Sequence, residues 1–361
     1  EFSGYEVTKA NLINDRGIHI SKSMLAYKLF GNNTTPEKEN KKSDHLVGDF
    51  YVKYAVESEK DQTLKEMAQN MLQLWENNDK ETLSLWETMN RWAIDGIMQT
   101  YKRMGIEFDI FEYESKNYLY GKDIVSDGLK KGIFYKQDDG SVWIDNEDLG
   151  LDKKADLRGD GTSIYITQDL GTAVKRHEKL GFDKLVYVVG SEQIYHFKTL
   201  FAILKKLGYS WANECYHLSY GMVNLPDGKM KSREGNVVDA DNLLDLLYEM
   251  AFQSVNEKNS DLSDDEKVSI SNKVSLAALK YYLLNFSTIK DITFSPERSI
   301  SFDGNTGPYI QYTTARINSL LKKANFSEKI VLKSDNYNFN SDEWNLISYL
   351  LEFEEAVVKA S

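Results

Sequence analysis

One stretch limits the fold more than any other: "TSIYITQDLGTAVKRHEKLGFDKLVYVVGSEQIYHFKTLFAILKKLG", residues 162–208. It reads as strand, helix, strand, helix, with "SIYIT" (163–167) and "KLVYVVG" (184–190) as the strands. The second is a near-continuous apolar run, the pattern of a buried parallel strand. Such alternation points to a doubly wound α/β sheet. Ligands of such sheets sit beyond the carboxyl ends of the strands. Two polar groups fall there: Gln168 and Asp169 after the first strand, and Gly190 to Gln193 after the second. Asp169 has a simpler reading as the N-cap of the helix that follows it.

The flanking segments differ in kind. "YEVTKANLIN" is strand-like, with the run Val7 to Ile13, and "HISKSMLAYKLF" is helical. Residues 31–44 form a polar loop. Residues 60–104 have helical spacing, with Leu64, Met67, Ala68, Met71, Leu72 and Trp75 on one face and Leu85, Trp86, Met89, Trp92, Ala93 and Ile97 on another. They predict a helical insertion, about 55–105, between elements of a sheet. "KGIFYKQDDGSVWIDN" predicts a hairpin turning at Asp139-Gly140. After about residue 241 the pattern is helical, apart from a short run near Ile292. "SNKVSLAALKYYLLNF" and "NTGPYIQYTTARINSLLKKA" are both amphipathic. Pro308 suits the first turn of the second, with Asn305 or Thr306 as its cap.

Composition excludes several classes. The chain has 361 residues and a net charge of -12, so no global basic field attracts nucleic acid, and any such surface is local. One cysteine, Cys215, excludes a disulfide framework and a cysteine zinc site. No apolar run spans a membrane, and the first residues lack the basic and apolar regions of a signal peptide.

Against the acidic total, "DGKMKSREGN" (227–236) gathers Lys229, Lys231 and Arg233 on a glycine-bounded loop. A solvated connection explains its glycines. A clamp for polyphosphate also explains its cations. On the helix at 308–322, Tyr309, Tyr312 and Arg316 share a face at i, i+3 and i+7. Aromatics beside a guanidinium can stack unpaired bases, and packing against the neighbouring domain is the alternative for both tyrosines.

Six segments together resemble the class I arginyl-tRNA synthetases: "NLINDRGIHISKSM" (11–24), "HLVGDFYV" (45–52), "SIYITQDLGTA" (163–173), "VVGSEQIYHF" (188–197), "GMVNLPDGKMKSREGNVV" (221–238) and "FDGNTGPYIQYTTARI" (302–317). The resemblance covers nearly the whole chain. It implies a Rossmann-like parallel sheet, here incomplete, with a helical insertion and then an all-α anticodon-binding region. The expected divisions are a catalytic domain over 1–240, a helical connecting region over 241–296, and the start of the anticodon-binding domain over 297–361.

The implied activity is that of an arginine–tRNA ligase. L-arginine is activated with ATP and magnesium to arginyl-adenylate and then passed to the 3′ end of tRNA(Arg). No zinc, no membrane, a monomer and a cytoplasmic location are expected. By resemblance, Lys229, Met230, Lys231, Ser232 and Arg233 form the signature loop that steadies departing pyrophosphate. The usual pattern is Lys-Met-Ser-Lys-Ser, so which of Lys231 and Arg233 meets the phosphates stays open. Tyr165, Asp169 and Gln193 match the arginine pocket. A guanidinium calls for a carboxylate, each charge-assisted bond being worth roughly 1.5–3 kcal/mol. Gly190, His196, Gly221, Met222 and Val223 match the ATP site, and Tyr309, Gln311, Tyr312 and Arg316 the tRNA surface.

The family's second signature, His-x-Gly-His, is missing. No two of the five histidines, His19, His45, His177, His196 and His217, have that spacing. In the family it precedes the "NDRG" stretch, so a fragment is expected that lacks this segment and the N-terminal domain, is cut within the C-terminal helices, and is inactive alone. Two other classes compete: a related ligase with a small acceptor, which has no use for 302–323, and a non-catalytic tRNA-binding relative, which has no use for Asp169 or the loop cations.

Overall fold

The computed structural model of the chain describes residues 1–118, 120–159, 164–224, 239–259, 261–325 and 338–360. Strand β1 (Ala10–Ile13) leads into helix α1 (Ile18–Phe30). Three helices follow: α2 (Ser43–Lys60), α3 (Thr63–Glu76) and α4 (Lys80–Met104). Asp79 caps α4 by accepting from Thr82 N at 3.0 Å, and Gly105 ends it at φ 60°. Met24, Leu25 and Ala26 of α1 meet Leu64, Ala68, Met71 and Met89 in one core. The helical spacing of 60–104 is therefore real and its apolar faces turn toward this core, except that Met67, expected on the same face as Leu64 and Ala68, is 40% exposed.

The chain then returns to the sheet. Strand β2 (Ile110–Tyr113) pairs in parallel with β1, Ile13 opposite Tyr113. Short α5 (Glu114–Asn117) and α6 (Tyr120–Lys130) come next. The predicted hairpin is β3 (Phe134–Lys136) and β4 (Val142–Ile144), with Gly140 at φ 82° in its turn. An unforeseen third strand, β5 (Lys154–Leu157), extends it.

The expected strand at 163–167 is not a strand. Helix α7 (Tyr165–Leu180) begins there, with Ile164 at its N-cap position. Ile166, Leu170, Ala173 and Val174 are buried, so Ile164 and Ile166 belong to a helical period rather than to a strand's alternation. Asp169 thus lies more than a turn inside α7 and is not its cap. The second expected strand is β6 (Leu185–Gly190), followed by α8 (Ile194–Lys206) and β7 (Cys215–Tyr220), which pairs in parallel with β6. Only one face of β6 is covered, by the core that α7 and α8 complete. Val186 and Val188 face outward at 50% and 63% exposure, against the expectation of a strand buried on both sides.

Beyond β8 (Val223–Asn224), α9 (Ala240–Lys258) and α10 (Asp264–Leu284) pack together, and β9 (Ile292–Thr293) pairs with β8. Ser263 and Glu266 exchange capping bonds at the start of α10. Short α11 (Pro296–Ser299) precedes α12 (Gly307–Lys323), whose cap is Thr306, accepting from Tyr309 N at 3.2 Å. Helix α12 sits so close on α10 that a Cβ on Gly307 would lie 2.3 Å from the Ala277 carbonyl oxygen. Helices α13 (Ser341–Leu351) and α14 (Phe353–Ala360) follow.

Among the described residues the strands form four separate ladders rather than one continuous sheet: β1–β2, β3–β4–β5, β6–β7 and β8–β9. A polar strut ties the helical insertion to α9. Lys42 Nζ lies 2.9 Å from Asp44 and 2.6 Å from Asp241, while His45 reaches Asp239 at 3.1 Å. Asp44, His45 and Asp241 have metal-ligand spacing, yet the Lys42 ammonium already lies within hydrogen-bond reach of both carboxylates.

Candidate active site at the carboxyl ends of the parallel strands

The stretch "NDRG" that ends β1 distributes four tasks. Asn14 Nδ2 donates to Glu114 Oε1 at 3.0 Å. Buried Asp15 accepts from Ser115 N at 2.8 Å and Ser115 Oγ at 2.5 Å, so it caps α5 from a hundred residues away. Arg16 pairs with Glu76 at 2.6 Å and stacks 3.9 Å over the Tyr118 ring. Gly17 takes φ 112°, a conformation that L side chains rarely adopt, and so starts α1. Parallel pairing of β1 with β2 places Asn14 beside Glu114, the first residue after β2.

Glu114 has the most telling environment. Burial pushes its carboxyl up to about 7, helped by the charges of Asp169 and Asp15 and opposed by Arg16. Asp169, on α7, therefore lies close enough to Glu114 for their charges to interact. Tyr165 stands one turn before it on the same helix face and is 65% exposed. His196, in the first turn of α8, lies with Nε2 2.6 Å from Asp169 Oδ2. Two carboxylates, Glu114 and Asp169, thus converge where a switch-point ligand belongs. A planar guanidinium, with five N–H donors and no acceptor, matches such a pair. Neither Asn14 nor Glu114 stood out in the sequence. The available signal was a carboxylate just after an apolar run that turned out to be a parallel strand.

Of the residues expected to hold ATP, Gly190 ends β6 opposite Tyr220, and Gly221 follows β7 directly. The two glycines therefore sit at the carboxyl ends of neighbouring strands. Gly221 N donates to Thr288 O at 2.7 Å, and a Cβ there would lie 2.2 Å from the Lys290 carbonyl oxygen. Met222 N donates to Asp291 Oδ1 at 2.7 Å, and Val223 packs in the core formed with α9 and α10. His196 is engaged with Asp169. Gln193 is exposed at the turn after β6. Lys229, Met230, Lys231, Ser232 and Arg233 lie outside the described residues.

Comparison with known proteins now decides the family. The profile of the tRNA synthetases class I (R), catalytic domain, matches residues 1–295. The chain belongs to the class I arginyl-tRNA synthetase family. The DALR anticodon binding domain matches residues 310–361. An arginine–tRNA ligase of Treponema denticola is 50% identical over 368 residues, covering 100% of this chain and 62% of that protein. One from Borrelia hermsii is also 50% identical, over 99% of this chain and 62% of its own length. The chain thus spans 62% of the length of these curated relatives. The solved arginyl-tRNA synthetase of Thermus thermophilus superposes with a TM-score of 0.84 at 25% identity, over 99% of this chain and 64% of that one. The enzyme from Plasmodium falciparum shares the fold, with a TM-score of 0.70 at 20% identity over 89% of this chain and 52% of that one.

Where the DALR match begins, Tyr312 inside it and Tyr309 just before it are each 44% exposed. Arg316 donates to the Tyr312 hydroxyl at 2.8 Å, so these two share a face as expected. Gln311 does not join them. Its Nε2 donates to the Lys273 carbonyl at 3.1 Å and docks α12 on α10.

Proposed function

We propose that the chain carries the arginine-binding and tRNA-facing parts of an arginine–tRNA ligase. The observation that carries this reading is the proximity of the Glu114 and Asp169 carboxyls, whose charges interact, a match for the guanidinium of L-arginine. Tyr165 and Gln193 are proposed to complete that pocket. The arginine carboxylate attacks the α-phosphate of ATP, which enters with magnesium as substrate. The bond to the β-phosphate oxygen breaks, and pyrophosphate leaves. The terminal ribose hydroxyl of tRNA(Arg) then attacks the arginyl carbonyl and releases AMP. Preorganised cations at the leaving group lower this barrier, which is the role proposed for Lys229, Lys231 and Arg233, with Met230 and Ser232 in the same loop. Gly190, Gly221, Met222 and Val223 border the nucleotide, with His196 at the pocket rim. Tyr309, Tyr312 and Arg316 face tRNA, and Gln311 holds their helix in place.

The division into a catalytic part over 1–240, a helical connection over 241–296 and an anticodon-binding part from 297 belongs to the same proposal. So do a monomeric state, a cytoplasmic location and the absence of a zinc requirement. Among the described residues no helix is long and apolar enough to cross a membrane. The test is a panel of the twenty amino acids, titrated separately against the chain by calorimetry. Binding of arginine alone, weakened about 10- to 100-fold in Asp169→Asn, is expected for loss of one charge-assisted contact. Preference for any other amino acid sinks the reading.

A further inference from the structure

Behind the pocket carboxylates lies a chain of side chains that the ligase reaction does not itself require. Asn14 Nδ2 donates to Glu114 Oε1 at 3.0 Å, and Asn14 Oδ1 lies 2.6 Å from His19 Nε2. Glu114 in its ionised form only accepts hydrogen bonds, so in that form the amide NH2 faces it. The amide oxygen then faces His19 and needs a donor there. That requires the Nε2–H tautomer of His19.

The imidazole is built to supply it. Burial, with the Lys22 charge adding to it, holds His19 below its ordinary pKa, so the ring stays neutral near pH 7. Gly17 makes room for the ring: a Cβ there would lie 3.2 Å from His19 Cε1. Asn14, Gly17 and His19 come from a single stretch at the carboxyl end of β1. Across the cleft, His196 holds Asp169 directly at 2.6 Å. Each carboxylate therefore has an imidazole behind it, one in contact and one acting through an amide.

We propose that His19 and Asn14 are positioning residues, which fix the Glu114 carboxylate in the orientation that receives the arginine guanidinium. Neither touches substrate. His19 orients the Asn14 amide, and the amide presents a donor to Glu114 in its charged form. Without His19 the amide is free to turn its oxygen toward the carboxylate and repel it. This inference rests on the arginine-ligase reading for its ligand, and on the described geometry alone for its action on Glu114.

The experiment follows the Glu114 side-chain carboxyl by carbon-detected NMR across pH, with and without L-arginine. The chain is compared with its Asn14→Ala, His19→Phe and His19→Gln variants. The groups facing Glu114 are Asn14, Asp15, Asp169 and Arg16, and only Asn14 is altered among them. Removing a donor to the charged form raises the titration midpoint. Asn14→Ala and His19→Phe are expected to raise it by about 0.5 on the pH scale or more, and to weaken arginine about three- to tenfold. His19→Gln keeps an N–H donor and is expected to stay close to the parent in both. ATP affinity is expected to stay within about twofold throughout, since the chain of bonds ends at Glu114. An unchanged Glu114 midpoint in folded Asn14→Ala overturns the proposal. If the parent chain binds no arginine, the ligand reading fails instead, and the midpoints alone decide the positioning role.

Discussion

The Glu114 and Asp169 carboxyls lie close enough for their charges to interact, and among the described residues neither forms a salt bridge with a lysine or an arginine. That arrangement is unfavourable until a cation enters. Because burial and Asp169 push Glu114 up to about 7, protons compete with the guanidinium below neutrality. Arginine affinity is expected to rise about tenfold between pH 6 and pH 8 and to level off above, as titration calorimetry at fixed ionic strength can show. A flat profile would mean that Glu114 does not meet the ligand. Asp156 makes a separate prediction about stability. It is fully buried, neither carboxylate oxygen has a hydrogen-bond partner among the described residues, and burial pushes it up to about 8. The native state thus holds a proton that the unfolded state releases near its ordinary value. The stabilisation is present at low pH and is lost as pH rises from about 4 toward 8. Asp156→Asn is expected to match the parent near pH 3.5 and to become progressively more stable than it as pH rises toward 8, measured by urea unfolding. Asp169 and Tyr165 were legible in the sequence because they lie in one motif, four residues apart. Glu114 and Asn14 were not, because a hundred residues of helical insertion separate them and only the pairing of β1 with β2 joins them.

At the level of elements, the sequence read well wherever one period dominated. Helices α3, α4 and α10 carry apolar stripes that bury as expected. The run "SIYIT" failed because alternating isoleucines fit a strand over so short a stretch, while Ile166, Leu170, Ala173 and Val174 continue with a helical period. Exposure of Val186 and Val188 was equally hidden, since an apolar run does not say which of its faces is covered. Close backbone contacts were not legible at all. Gly221 is required where the chain leaves β7 and crosses the 288–292 segment, because a Cβ there would lie 2.2 Å from a backbone oxygen. Gly221→Ala is expected to lower stability by about 1–3 kcal/mol, seen as a lower denaturant midpoint at unchanged slope. A midpoint equal to the parent's would show that the segment yields without cost.

Over the whole molecule, long-range polar contacts link parts that the sequence shows as independent. Lys42, just before α2, reaches Asp241 of α9 across 199 residues, and both bond to Thr100 of the helical insertion. Gln311 joins α12 to α10. With a net charge of -12, any contact with tRNA must rest on a local surface, for which Tyr309, Tyr312 and Arg316 are proposed. Arg316→Ala is expected to weaken tRNA(Arg) binding and to reduce the slope of log affinity against log salt by about one. An unchanged slope would place the phosphate contacts elsewhere. The central claim is that paired carboxylates select a guanidinium. The most direct test compares L-arginine with L-citrulline, its uncharged near-isostere, in one calorimetric series at pH 8. Arginine is expected to bind at least about a hundredfold more tightly, because citrulline leaves both carboxylates without a cation. Equal affinities would contradict the account.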